Sequence, residues 1–201
     1  MPMNTNDFET SRPLRHGTIL RNNIDAYQII GEAVNAGGFG RIYRAKRISD
    51  GDNPDIKKYA IKEFFVGEYC DCGNSIISND LYLRKNISLL RSKFIQEAKL
   101  LAEIGCMRTV SYHIPEIFSR AFKTDDGLFY AMEYVEGPTL TQEVKNWGTM
   151  HERRARPLIV QISRLLWRAH TYGIIHSDIT PNNIILRGGG TIAVLVDFGN
   201  A

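Results

Sequence analysis

The sequence predicts an α+β fold in two parts, five antiparallel strands with one inserted helix followed by a mainly helical segment. Three observations predict it. Short apolar-alternating runs separated by turn clusters fill the first 135 residues. Two longer stretches carry apolar residues at helical spacing. A Gly137-Pro138 step then punctuates the chain and marks a boundary between the parts.

Taken in order, residues 1–16 read as an extension, and the pattern turns to β from Gly17. Tyr27, Ile29 and Ile30 begin a strand that reaches Val34, and the glycine-rich stretch Asn35-Ala36-Gly37-Gly38-Phe39-Gly40 follows it. Ile42 and Tyr43 open a second strand, Asp50 to Pro54 forms a turn, and Tyr59 to Phe65 is a third strand. Residues 66–82 are irregular and polar. A helix is expected from about Ser88 to Ile104, with Phe94, Ala98, Leu101 and Ala102 on its buried side. Strands are expected over Pro115–Phe122 and Leu128–Val135, joined by Asp125-Asp126-Gly127.

Beyond Gly137-Pro138, Thr139 suits the cap of a short helix. Residues 152–171 predict a second long helix that buries Leu158, Ile162, Leu165, Leu166 and Ala169. Short strands at Ile184–Leu186 and Ile192–Val196 flank a Gly188-Gly189-Gly190 turn.

Composition narrows the function. The 201 residues carry 43% apolar and 23% charged side chains, an ordinary globular balance. A net charge of +3, from 25 basic and 22 acidic residues, points neither to nucleic acid nor to an anionic membrane. No apolar run is long enough to span a bilayer, and Met1–Arg12 lacks the apolar stretch of a secretory signal. A cytoplasmic location with reduced thiols is the expectation for Cys70, Cys72 and Cys106. Cys70 and Cys72 offer two metal ligands but no nearby His or Cys pair completes a site, so they read as loop thiols.

Five features carry chemistry. The glycine-rich turn joins two strands of a hairpin, where backbone N–H groups can approach a polyphosphate; alone it equally fits a flexible hairpin. Lys62 ends an apolar strand and Glu97 shares the buried side of the helix. Pairing would relieve both desolvation costs, and two unrelated snorkelling side chains are the alternative. His176-Ser177-Asp178-Ile179-Thr180-Pro181-Asn182-Asn183 is a loop offering one carboxylate and, five residues on, one amide. The carboxylate can accept a hydroxyl proton and the amide oxygen can ligate a hard cation; an Asx-rich turn is the alternative. Asp197-Phe198-Gly199 follows an apolar strand, and an acid there can hold Mg²⁺. Each signal is weak by itself. Their order and spacing match a kinase domain.

On these residues, over about 14–201, the chain resembles eukaryotic-like Ser/Thr protein kinases, most of all the bacterial branch. Gly17-Thr18-Ile19-Leu20, Gly37-Gly38-Phe39-Gly40-Arg41-Ile42-Tyr43 and Ile61-Lys62-Glu63-Phe64-Phe65 carry that likeness. The resemblance implies a kinase N-lobe over 17–136, a partial C-lobe over 137–201, and ATP and Mg²⁺ as cofactors. It implies that Val34, Gly37, Gly38, Phe39, Gly40 and Ile42 cover the nucleotide, with Lys62 on the α/β-phosphates and paired to Glu97. Met132 falls at the gatekeeper position, Glu133 and Val135 meet the adenine through their backbone, and Ala60 and Ile185 sandwich it. Asp178 becomes the catalytic base, Asn183 and Asp197 the metal ligands, and Leu101, His176 and Phe198 part of an apolar spine. The implied substrate is a Ser/Thr hydroxyl of a protein.

Some positions depart from the family. Asn35 stands where the first glycine is usual, Ser177 where an Arg precedes the catalytic Asp, and Thr180 where a Lys follows it. Ala201 lies two residues beyond Gly199, and the activation segment and later helices have no counterpart in the sequence. The expectation is therefore an incomplete catalytic domain, or a minimal protein that completes its fold with a partner or a second copy. A nucleotide-binding pseudokinase or scaffold, and a kinase of small molecules or an atypical target, are the competing readings.

Overall fold

A computed structural model describes residues 13–37, 40–51, 57–65, 81–107 and 111–201. The extension before residue 13, Gly38, Phe39, most of the Asp50–Pro54 turn, and the 66–80 link with Cys70 and Cys72 lie outside the described residues. The chain divides into two compact units. The first runs up to Ile95 and takes in Phe118–Glu133; the second comprises Gln96–Ile117 and Tyr134–Ala201.

The first unit is built on an antiparallel sheet in the order β1-β2-β3-β4-β6-β5. Its strands are β1 (Ile19–Arg21), β2 (Ala26–Gly37), β3 (Gly40–Arg47), β4 (Tyr59–Phe64), β5 (Ile117–Thr124) and β6 (Gly127–Glu133). Six strands form where five are expected. The extra one, β1, pairs with the start of β2 across a tight turn. Asn22 makes that turn, its Oδ1 accepting from the Ile24 N–H at 2.8 Å and the Asp25 N–H at 2.6 Å.

Side chains alternate across a strand, so each strand contributes to both faces of the sheet. One face gathers Leu20, Tyr27, Ile29, Tyr43, Ala45, Tyr59, Ile61, Phe129 and Ala131 into a buried cluster that Leu14 joins from the segment before β1. The opposite face carries Ala60, Lys62, Tyr130 and Met132. There Phe94 packs against Tyr130 at 5.0 Å and Phe64 at 5.6 Å, ring centroid to centroid.

Phe94 belongs to α1 (Leu81–Gly105), which begins earlier than the expected Ser88. No Gly or Pro interrupts residues 81–87, and the buried Ile87 extends the Phe94–Leu101 stripe by two turns.

The second unit places α2 (Leu140–Trp147) and α3 (Glu152–Thr171) beside a hairpin of β7 (Ile184–Arg187) and β8 (Ile192–Leu195). Thr139 caps α2 as expected. Its hydroxyl accepts from the Gln142 N–H at 3.1 Å, and the Gln142 side chain accepts from the Thr139 N–H at 2.8 Å. α3 spans the expected residues and buries Leu158, Ile162, Leu165 and Ala169. It packs on β8, where Gln161 donates to the Thr191 carbonyl and accepts from the Ala193 N–H. Leu166 is half-buried rather than buried.

Pro138 and Thr139 are stitched to β7 by a Leu186 N–H to Pro138 carbonyl bond of 2.9 Å and a Thr139–Ile185 bridge. This close approach requires Gly137. Its φ is 143°, and a Cβ there would overlap the Leu186 carbonyl oxygen. Gly137→Ala is expected to destabilise the protein by about 2–4 kcal/mol in a chemical denaturation curve. Gly190→Ala should cost only about 1 kcal/mol. Its φ is also positive, but the atom met there is the movable guanidinium of Arg154.

Candidate functional site

The first unit holds one group of candidate residues on the Lys62 face of the sheet. β2 and β3 pair down to Gly37 opposite Gly40. Gly38 and Phe39, which follow Gly37 in the chain, lie outside the described residues. Two register shifts in β2, near Ala33, add twist to the strand before the turn. Val34, on this stretch, is exposed, and Ile42 is half-buried.

In register, Ile42 faces Lys62 and Gly40 faces Phe64. Gly40 sits where no larger residue fits. A Cβ would stand 2.9 Å from the Glu63 carbonyl oxygen and 3.3 Å from Lys62 Cε. The Lys62 side chain therefore lies directly against the last glycine of the hairpin, and it is buried. Ala60 pairs with Met132 one step along, and Glu133 ends β6 opposite Tyr59. Gly40, Ile42, Ala60, Lys62, Met132 and Glu133 thus share one stretch of sheet.

The second unit gathers the rest. Asp178 and Asn183 meet directly: the Asn183 amide donates to the Asp178 carboxylate and to the Asp178 carbonyl, each at 3.0 Å. The Asn183 carbonyl accepts from the Val196 N–H at 2.9 Å, which brings the residue before Asp197 onto the same loop. His176 fastens the arrangement from beneath. The Asp178 N–H donates to its Nδ1 at 3.3 Å, so Nε2 carries the proton and donates to the Val196 carbonyl at 3.2 Å. Burial pushes the His176 imidazole below its ordinary pKa, which keeps this neutral tautomer. Its ring meets Phe198 edge-on at 4.5 Å, and Leu101, the third expected spine member, is also buried.

Asp197 and Glu97 both approach Gly199. A Cβ on that glycine would lie 3.4 Å from Asp197 Oδ1 and 3.6 Å from Glu97 Oε2. Glu97 is buried, as its place on the apolar side of the helix predicts. Val135 is buried and Ile185 half-buried, close to the Pro138–Leu186 link.

Backbone strain is concentrated here. Among the described residues, only Ser177 (φ 63°) and Asp197 (φ 64°) are non-glycine residues in the left-handed region. Asp tolerates that conformation through its short polar side chain, and Ser less readily. Strain of this kind persists where neighbouring bonds over-determine the backbone, and it clusters at functional sites. The residue types gave no sign of it.

Among the described residues, no group of three or more His, Cys, Asp or Glu side chains forms a metal site. Asn183 and Asp197 are brought near each other by the Val196 N–H to Asn183 carbonyl bond.

The model of the protein kinase domain matches residues 27–201. The chain belongs to the protein kinase family. Among its relatives, a serine/threonine-protein kinase PknA of Nostoc is 30% identical over 86% of this chain and 27% of its own length. Serine/threonine-protein kinase D of Synechocystis is 30% identical over 88% of this chain and 30% of its length. Serine/threonine-protein kinase C of Synechocystis is 31% identical over 86% and 28%. This kinase chain therefore spans under a third of the length of these relatives. Its six-stranded sheet and its helix-and-hairpin unit are those of a partial kinase fold. No helix among the described residues is long and apolar enough to cross a membrane.

The strain at Ser177 generates a test. Ser177→Val places a β-branched residue at positive φ and should cost about 1–2 kcal/mol in chemical denaturation. Ser177→Asn, which tolerates that conformation, should leave stability nearly unchanged.

Proposed function

We propose that this chain carries the nucleotide-binding and catalytic-loop portion of an ATP-dependent kinase that phosphorylates Ser/Thr hydroxyls of proteins. The observation that carries the reading is the Asp178–Asn183 pair, joined through Val196 to Asp197. A carboxylate oriented by a neutral amide, beside a second acid, suits one proton acceptor and one cation site. The names of the curated relatives support the same activity.

In this mechanism the acceptor hydroxyl oxygen attacks the γ-phosphorus, the bond to the β-phosphate oxygen breaks, and ADP leaves. Asp178 takes the hydroxyl proton. Its carboxylate is held by the Asn183 amide at one oxygen, which orients it without neutralising it. Asn183 Oδ1 and the Asp197 carboxylate would hold Mg²⁺. When bound, that ion supplies positive charge to the phosphate oxygens. Lys62 would bind the α/β-phosphates, and its side-chain stem lies against Gly40. Val34, Gly37, Gly38, Phe39, Gly40 and Ile42 would cover the phosphates. Ala60, Met132, Glu133, Val135 and Ile185 would hold the adenine.

Thr180 supports a second reading, in which nucleotide binds without transfer to protein. A hydroxyl stands where the family places a Lys that neutralises the transferred group. Stabilisation by Mg-ATP with no phosphotransfer to any acceptor would favour it.

Two outcomes test the main reading. In the full-length protein, Asp178→Ala should lower γ-phosphate transfer to a protein acceptor by roughly 100- to 10,000-fold; undiminished transfer overturns the assignment. Asp197→Asn should raise the Kd for Mg-ATP while leaving the nucleotide-free unfolding midpoint unchanged or slightly higher, because it removes an acid near Glu97. Unfolding of that variant, with normal nucleotide affinity in the folded fraction, would make Asp197 a structural acid.

A further inference from the structure

Glu63 follows Lys62 in β4, and strand alternation sends the two side chains to opposite faces of the sheet. Lys62 faces Gly40, and Glu63 enters the apolar cluster on the other side, where it is fully buried. A carboxylate there is expensive unless it is paired. Tyr43 donates to Glu63 Oε2 at 2.8 Å, and Arg41 Nη1 lies 3.5 Å from the same oxygen. The Tyr43 phenol, pushed up to about 12 by burial and then by its bond to Glu63, remains a donor. The Leu14 N–H donates to the Tyr43 hydroxyl at 3.2 Å, tying in the segment before β1. The Arg41 guanidinium lies over the Phe65 ring, 3.3 Å from its centroid.

The rest of this face is apolar, which makes the placement of one ion pair informative. Arg41 faces Glu63 in the same register that sets Ile42 opposite Lys62. A slip of β3 by one residue would turn every side chain to the wrong face, and the apolar pattern forbids it. A slip of two residues keeps the faces correct, because Tyr43, Ala45, Tyr59 and Ile61 are all apolar or aromatic and exchange neighbours at little cost. The charged pair opposes that slip, which would part Arg41 from Glu63 and set the carboxylate opposite Tyr43 or the guanidinium opposite Ile61, and the close fit of Gly40 against the Glu63 carbonyl opposes it as well. The same two-residue slip would carry Gly40 away from Lys62.

We propose that Glu63, with Arg41 and Tyr43, is a positioning residue that locks β3 on β4 so that the glycine hairpin meets the Lys62 ammonium. The proposal rests on the nucleotide-binding reading above for its effect on ATP. It names a role for a side chain that points away from the nucleotide.

The decisive variant is the double replacement Arg41→Leu with Glu63→Leu. Apolar replacement of a buried ion pair is often neutral or stabilising, so a pair with no part in placing the hairpin predicts an unchanged or higher Tm and unchanged function. The positioning role predicts that Tm, in the full-length protein, holds while the Kd for Mg-ATP rises about tenfold. Tyr43→Phe, which loses only the hydroxyl, should raise it about two- to fivefold. A nucleotide-free readout accompanies these. The acylation rate of Lys62 by an amine-reactive ester, read by peptide mass spectrometry, should change at least threefold, while Lys57 and Lys58 react as before. A Kd within twofold of the parent together with an unchanged Lys62 rate overturns the proposal. So does unfolding of all these variants, which would make the cluster structural. Absence of Mg-ATP binding in the parent protein would instead sink the proposed function, and the Lys62 rate would still decide the positioning role.

Discussion

The pairing of β3 with β4 is the constraint on which the first unit depends. Along β4, Tyr59, Ile61 and Glu63 enter one side of the sheet, while Ala60, Lys62 and Phe64 enter the other. Both sides are closed, one by the cluster around Tyr27 and Phe129, the other by Phe94. Lys62 and Glu63 are both buried, so each charge needs a partner group. For Glu63 the answer is Arg41 and Tyr43. The absence of a Cβ at Gly40 is part of the same packing, since that is what lets the Lys62 stem lie flat along the hairpin.

The second unit solves a different problem. Its acids sit on irregular backbone, where no ladder supplies hydrogen bonds, and buried N–H and C=O groups still need partners. Side chains supply them. His176 bonds the backbone on both sides of its ring, and the Asn183 side-chain amide bonds Asp178, while the Asn183 backbone carbonyl accepts from the Val196 N–H. These bonds offset the cost of two left-handed residues, Ser177 and Asp197, at the ends of the loop. The loop is tied to the hairpin through Val196, and Gln161 of α3 bonds the edge of that hairpin.

Much of this was legible in the residues. The helix at 152–171, the Thr139 cap and the strand bearing Lys62 followed from periodicity and end signals alone. That Asp178 and Asn183 share one loop was legible in their spacing around Pro181, but their direct hydrogen bond was not. Other features were not legible, for identifiable reasons. The expected start of α1 is late because the polar run Arg84-Lys85-Asn86 hides the apolar stripe, and only packing shows that Ile87 is inside. β1 was missed because three residues are too few for a period, and its stability comes from β2. Glu63 reads as a solvent-facing residue in a half-exposed strand; its burial depends on Leu14, which is 49 residues earlier in the numbering of the chain. Positive φ at Ser177 leaves no trace in composition, since Ser is at home in any loop.

These two solutions to buried charge differ in what they permit. A charge answered across a strand pair is fixed by register, and register changes only in whole steps of about 3.3 Å per residue. A charge answered by side chains on a loop can shift by rotation about single bonds, in steps far smaller than that. Proton acceptance and cation ligation need fine adjustment, and Asp178, Asn183 and Asp197 are placed on such backbone. Phosphate binding by an ammonium needs a fixed distance from a hairpin, and Lys62 is placed on a strand clamped from behind. Under the proposed function, the distribution of regular and irregular backbone between the two units would follow the tolerance of each chemical task. An ion pair buried on the far side of the sheet, costly by any accounting of desolvation, is consistent with that division. It gives register to a strand whose apolar neighbours cannot supply it.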